Sequence, residues 1–189
     1  MKKFILLSAA LCLTACATAS QPGAMVPEIV SANVISSSSK LSQSVEMGTV
    51  EGGKETNPLW TSQVSNEDFT EALTQSLAAH AMLATETATY RLDAEMVELK
   101  QPFAGIDMTV SSTVKYTLTN LSTNNVVYEN TVEEDYSAKF GDALVAVKRL
   151  QLANEGSIKS NISAMLSDMI AKVDGASSPV ASLTTITSG

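Results

Sequence analysis

Between Tyr90 and Ala138 apolar and polar side chains alternate with a period of two, and only two short turns break the alternation. Tyr90, Leu92, Ala94 and Met96 alternate with Arg91, Asp93, Glu95 and Val97. After a turn at Gln101-Pro102-Phe103-Ala104-Gly105, the residues Met108, Val110, Val114, Tyr116 and Leu118 alternate with Thr109, Ser111, Thr113, Lys115 and Thr117. After a second turn at Leu121–Asn125, the residues Val126, Tyr128, Val132 and Tyr136 stay in phase. A period of two is the mark of a strand with one face in and one face out. Turns this short force neighbouring strands to pair antiparallel. The outward positions are Thr, Ser and charged residues, so one face of the sheet is expected to be wet.

The segments on either side have helical spacing. Phe69, Leu73, Leu77 and Ala81 recur every four residues, with Ala72 and Ser76 beside them. Ser65 is placed as an N-cap, Asp68 as its capping-box partner, and Val64 and Phe69 as a hydrophobic staple. Glu67, Asp68 and Glu71 lie in the first turns, where the helix dipole favours negative charge. The spacing predicts a helix from about Asn66 to Leu83. A longer pattern runs from Asp142 to Val173 through Leu144, Val147, Leu150, Ile158, Ile162, Met165, Leu166, Met169 and Val173. Gly156 sits inside it and weakens the helix there, so a kink or two segments are expected, with Gly175 as a stop. Upstream, Glu28–Ile35 and Val45–Val50 have strand character, and the serines between positions 36 and 44 read as loose chain. The order of strand, helix, three antiparallel strands and long helix defines an α+β two-layer sandwich with both helices on one face.

The N-terminus has another logic. Met1-Lys2-Lys3 is followed by an apolar run from Phe4 to Leu13. About ten apolar residues are too few to span a bilayer, which takes ~20, but they suit the core of a signal peptide. The run closes on Leu13-Thr14-Ala15-Cys16, which resembles the lipobox of bacterial lipoproteins. That resemblance implies cleavage before Cys16 and acylation of Cys16, and two or three acyl chains anchor a protein stably. Ala15-Cys16-Ala17 also fits the cleavage site of an ordinary secreted protein, and this reading stays open. Ala17, rather than Asp, follows the cysteine, which by the same resemblance directs the chain to the outer membrane, facing the periplasm. Residues 17–27 (ATASQPGAMVP) read as a flexible tether, and residues 16–44 together as the lipidated, loosely structured N-terminus. Residues 45–175 read as one α+β domain and 176–189 as a disordered tail.

Cleavage takes 15 of the 189 residues and leaves 174, enough for one domain with a real core. The loss of Lys2 and Lys3 leaves ten basic against twenty acidic side chains. Such acidity argues against nucleic acid as a partner, because nucleic-acid binding rests on Lys and Arg. Cys12 leaves with the signal peptide and Cys16 takes lipid, so the domain has no disulfide and its stability comes from apolar burial.

Few residues are candidates for chemistry. His80 is the only histidine; it closes the first helix, and with no second His or Cys nearby it does not make a zinc site. Glu133 and Asp135 share a strand face and could attract Ca²⁺ or a basic partner, although such runs are more often solvated edges. The chain has no G-x-S-x-G elbow and no phosphate loop, so no catalytic residue, metal or cofactor is expected. Trp60, the only tryptophan, sits in Asn57-Pro58-Leu59-Trp60 before the first helix. It is either an interaction anchor or a cap folded over one end of the core. Ala153-Asn154-Glu155-Gly156 marks a place of close packing or close backbone approach on the long helix.

The order of elements after a lipidated cysteine resembles small outer-membrane lipoproteins of the YajG type. At the level of topology it also resembles the lipopolysaccharide-assembly lipoprotein LptE. Three stretches resemble a family of uncharacterised proteobacterial lipoproteins: Thr56–Trp60, Gln101–Val110 and Arg149–Ile158. The resemblance implies the fold and an envelope location and carries no catalytic residues. The expected function is therefore a non-catalytic binding or scaffold module in an envelope complex, with an envelope protein as partner. The alternative is a carrier of an apolar ligand such as lipid or lipopolysaccharide, suggested by eight methionines, most of them on inward faces.

Overall fold

The computed structural model describes residues 17–30, 35–57 and 61–175. Cys16 and the signal peptide, Trp60 and the C-terminal tail lie outside the described residues, as does half of the strand expected at Glu28–Ile35. Within that stretch, Glu28, Ile29 and Val30 are irregular. The elements are α1 (Pro22–Met25), β1 (Val45–Glu51), α2 (Asn66–Ala79), β2 (Tyr90–Lys100), β3 (Met108–Asn120), β4 (Asn125–Ala138) and α3 (Ala146–Gly175). A short 3-10 turn at Phe140–Asp142 precedes α3.

The sheet runs β1-β2-β3-β4. β2, β3 and β4 form the expected antiparallel meander, with Leu92 opposite Leu118 and Val114 opposite Val132. β1 pairs parallel to β2, because α2 carries the chain back across the sheet between them. Both long helices cover the same face, so the chain is an α+β two-layer sandwich. One core joins Phe69, Leu73 and Leu77 of α2 with Ile158, Ile162, Met165 and Met169 of α3 over Leu92, Tyr116 and Leu118 of the sheet. The opposite face carries Arg91, Asp93, Lys115, Glu129 and Glu133, and only part of this charge is paired, as in Lys115–Glu129 at 3.0 Å.

The local cues act mostly as read, with four corrections. Ser65 caps α2 by accepting from the Asp68 N–H at 3.0 Å, and Val64 and Phe69 are both fully buried. α2 ends at Ala79 rather than Leu83: His80 caps it, Ala81 turns left-handed at φ 56°, and Met82 N–H closes on Leu77 O at 2.8 Å. α3 runs unbroken through Gly156. A β-bulge between Leu118 and Thr119 shifts the phase at the start of β4, so Val126 is exposed while Tyr128 is buried.

The fourth correction concerns residues 17–30, which are not a loose tether. Ala17, Ser20 and Met25 are buried. Thr18 Oγ1 donates to Gln151 at 2.6 Å, Ser62 Oγ donates to Thr18 O at 2.7 Å, and Gln151 Nε2 donates to Ala19 O at 3.0 Å. Pro22 starts the single turn of α1, and Met25 joins the main core. Farther on, Leu41 is also fully buried. The short side chains and Pro/Gly signals of this segment suit a tether, but they equally suit an arm that must lie close against a helix.

Candidate interaction site

An open groove of about 860 Å³ runs along the outer side of α3. Its floor is Gly156, Ser160, Ser163 and Ser167, spaced to share one helix face. One wall is Glu134 and Tyr136 of β4; the other is the N-terminal arm at Ala24, Pro27, Glu28 and Val30. Small polar residues occupy this face because it turns away from the sheet, where Ile158, Ile162 and Met165 are buried instead. Glu134, Asp142 and Glu155 make the lining acidic, and Lys159 pairs with Glu28 at 3.5 Å. β4 is the last strand of the sheet, so its outer edge lies beside this groove.

The groove is held in shape by a polar layer under the first half of α3. Asn161 Nδ2 donates to Ser112 O and Val132 O, both at 2.9 Å, and Asn161 Oδ1 accepts from Tyr116 Oη at 2.9 Å. Ser157 Oγ meets Ser112 Oγ at 2.7 Å and donates to Glu134 O at 2.8 Å. Burial pushes the Tyr116 hydroxyl pKa far up, with Tyr128 adding to it, so Tyr116 remains a neutral donor. Nearer the start of α3, Asn154 and Gln101 both bond Ser62 O, and Gln101 Nε2 donates to Asn154 Oδ1 at 2.7 Å. Gln151 and Asn161 were not singled out from the sequence, and Asn154 only as part of the close-packed stretch Ala153–Gly156. The signal was there in uncharged polar residues that extend the apolar stripe of the helix toward its N-terminus.

Two loops meet at that same end. Asp107 accepts from the Phe140 N–H at 3.0 Å and from Lys139 Nζ at 3.2 Å. These two bonds, the first above all, hold its carboxyl below the usual range. Arg149, though nearly buried, donates from Nη1 to Ala143 O at 2.7 Å and to Leu144 O at 3.0 Å, and its guanidinium lies 5.2 Å from the Phe140 ring centre. At the other end of α3, burial pushes the Asp168 carboxyl up, but Lys172, Tyr128 and Asn130 outweigh it and leave the pKa lowered. Burial also raises the Tyr128 hydroxyl, helped by Asp168.

The other sequence-stated residues are placed as follows. His80 is buried and its Nδ1 sits 2.7 Å from Ser76 O, a helix-end contact with no ligand geometry. Glu133 and Asp135 lie on the open sheet face, away from the groove, and Ser111 Oγ approaches Glu133 at 3.4 Å. Among the described residues, no three His, Cys, Asp or Glu side chains are grouped to hold a metal. Gly156 is indeed a point of close approach: a Cβ there would lie 2.3 Å from Cδ1 of Tyr136. Among the described residues, no helix is long and apolar enough to cross a membrane.

The chain matches no protein-family model and none of the curated proteins. Its fold is nevertheless found in solved structures. A Xanthomonas campestris protein of the DUF330 family superposes with a TM-score of 0.61 at 10% identity, over 85% of this chain and 99% of that one. A candidate lipoprotein of Caulobacter crescentus superposes with a TM-score of 0.52 at 14% identity, over 74% of this chain and 96% of that one. At such identities the likeness is one of fold: this chain has the architecture of two bacterial proteins of which one is a candidate lipoprotein.

Proposed function

We propose that this chain is a lipid-anchored envelope lipoprotein that works without catalysis, as a binding module that receives an extended segment of a partner protein in the groove over α3. Cys16 carries the anchor in this reading, and the chain faces the periplasm from the outer membrane. The YajG-like character belongs to the same reading and rests on the order of elements after the lipidated cysteine. The observation that carries it is the combination of a small-residue floor with the free edge of β4. A narrow extended chain fits over Ser160 and Ser163, and its backbone can pair with the strand edge. The acidic lining favours a segment rich in Lys or Arg. The carrier alternative gains nothing from the interior: Met25, Met82, Met165 and Met169 are fully buried in one packed cluster and fill the core.

The test is a photo-crosslinking residue placed at Ser160 or Ser163 of the full-length protein in intact cells. The same residue at Thr74, on the exposed side of α2, serves as control. A discrete crosslinked protein from the groove positions, absent from the control, supports the module. Crosslinks to lipid alone favour the carrier. No groove-specific product sinks the proposal.

A further inference from the structure

The end of the molecule that carries the start of the arm also carries a cluster of exposed apolar side chains. Phe103 is fully exposed, Ile106 is 76% exposed and Leu144 80%, and Phe140 and Val145 are about half exposed. They belong to the β2–β3 and β4–α3 loops. Both loops are braced, by Asp107 against Lys139 and Phe140 and by Arg149 against the backbone of Ala143 and Leu144. The apolar tips are thus held outward by buried or ion-paired groups, where loose loops could tuck them away.

The same end holds Ala17. Thr18 is bonded to Gln151, two residues past Arg149, and to Ser62, whose carbonyl is bonded by Gln101 at the root of the β2–β3 loop. Ala17 directly follows Cys16 in the sequence, so a lipid on that cysteine is attached one residue before the part of the arm docked at this end. Charge here is nearly balanced: Lys139 pairs with Asp107 at 3.2 Å, Arg149 is nearly buried, and Lys148 and Asp142 are exposed.

We propose that this end is a membrane-docking surface whose occupant is the lipid bilayer, with Phe103, Ile106 and Leu144 seated among the headgroups and upper acyl chains. The inference rests on lipidation of Cys16 and goes beyond it. The anchor does not let the domain swing; it sets the body against the lipid in one orientation, with the acidic open sheet face running away from the surface. Exposed apolar tips with little net charge around them match the chemistry of a bilayer interface.

In the lipidated protein Cys16 is acylated, so an added cysteine is the one free thiol for a probe. Ile106→Cys and Leu121→Cys, the latter in the far β3–β4 turn, would each be labelled with an environment-sensitive fluorophore. The full lipidated chain is then reconstituted in vesicles of phosphatidylethanolamine and phosphatidylglycerol. Both sites are exposed, so neither change disturbs the core. The expected result is a blue shift, with quenching by brominated lipid, at position 106 and a water-like spectrum at 121. Flotation of the vesicles reads the anchor separately, with Cys16→Ser as its control. Floating protein with a water-like probe at 106 overturns the docking surface and leaves the anchor standing, and a patch for protein then replaces it. Equal quenching at both sites overturns the single orientation. A chain that does not float at all overturns both.

Discussion

The two halves of α3 solve the same packing problem in different ways. From Ile162 to Val173 the helix meets the sheet with Ile162, Met165, Leu166 and Met169, all fully buried in the main core. From Arg149 to Asn161 it buries Arg149, Gln151, Asn154, Ser157 and Asn161 among its apolar residues, and nearly every polar atom of these finds a partner. The second half is held by shape and apolar area. The first is held by hydrogen bonds to several separate segments: the arm, the Ser62 loop, the β2–β3 and β4–α3 loops and the inner faces of β3 and β4. Apolar packing tolerates many occupants of the right volume, whereas a bonded layer specifies positions. The half with specified positions is the one beside the braced β2–β3 and β4–α3 loops, and the groove crosses both halves.

The largest expected effect lies in the apolar half. Ile162→Ala leaves a cavity in the main core and is expected to cost about 2–5 kcal/mol in urea unfolding. Asn161→Ala, one residue earlier, strands the buried Tyr116 hydroxyl and removes two bonds to strand carbonyls. It is expected to cost about 1–3 kcal/mol. Asn161→Leu sharpens the contrast: if it is as stable as the parent, the polar layer adds specificity and no net stability, as buried polar groups sometimes do. If the Asn161 variants cost more than Ile162→Ala, the contrast drawn between the halves is reversed.

These two residues also show what was legible in the sequence. The β2–β4 meander and the stripe through Ile158, Ile162 and Met169 follow from period alone, because apolar burial writes itself into spacing. Asn161 is silent to that analysis. Its role depends on the carbonyls of Ser112 and Val132, which come into reach only once β3 and β4 are paired. The parallel pairing of β1 was unreadable for a similar reason, since a seven-residue strand does not state its neighbour. The arm reads as a tether in sequence because docking through Thr18 and Met25 needs few apolar residues when hydroxyl and backbone bonds do the rest. The groove is visible in sequence only as Gly156, Ser160, Ser163 and Ser167 at helical spacing, a pattern that equally describes an exposed helix face.

Gly156 marks the border of the groove, and a smaller effect is expected there, with a change of sign. Gly156→Ala drives a methyl group into Cγ and Cδ1 of the Tyr136 ring, atoms near the root of a side chain that must then swing away. The cost is expected to be about 1–3 kcal/mol, reduced by the better helix propensity of Ala. In a Tyr136→Ala background the clash is gone and only the propensity remains, so the same change should stabilise by up to ~1 kcal/mol. The double-mutant cycle then gives a stabilising coupling that measures the relieved clash, opposite in sign to the cost of Gly156→Ala in the parent. Additive single changes would mean that the ring does not rest on the helix in solution.

The smallest expected effect is electrostatic and sits at the outer margin of the apolar half. Asp168 accepts from Asn130 Nδ2 at 2.8 Å and pairs with Lys172 at 2.9 Å, and Lys172 lies 5.3 Å from the Tyr128 ring centre. Its carboxyl pKa is lowered in the folded chain, so the native state binds that proton less readily than the unfolded state. The stability this provides is therefore complete above the ordinary carboxylate pKa, and it is lost as pH falls through the lowered folded value. Because the pair is partly exposed, Asp168→Asn is expected to cost under about 1 kcal/mol at neutral pH. In acid the parent should lose stability more steeply than the variant, so the two curves converge as pH falls past the ordinary carboxylate pKa and through the lowered folded value. Added salt should narrow the neutral-pH gap for the same reason. Parallel curves through the acid range would show that the Asp168 cluster is a surface decoration, and that the apolar half owes its stability to burial alone.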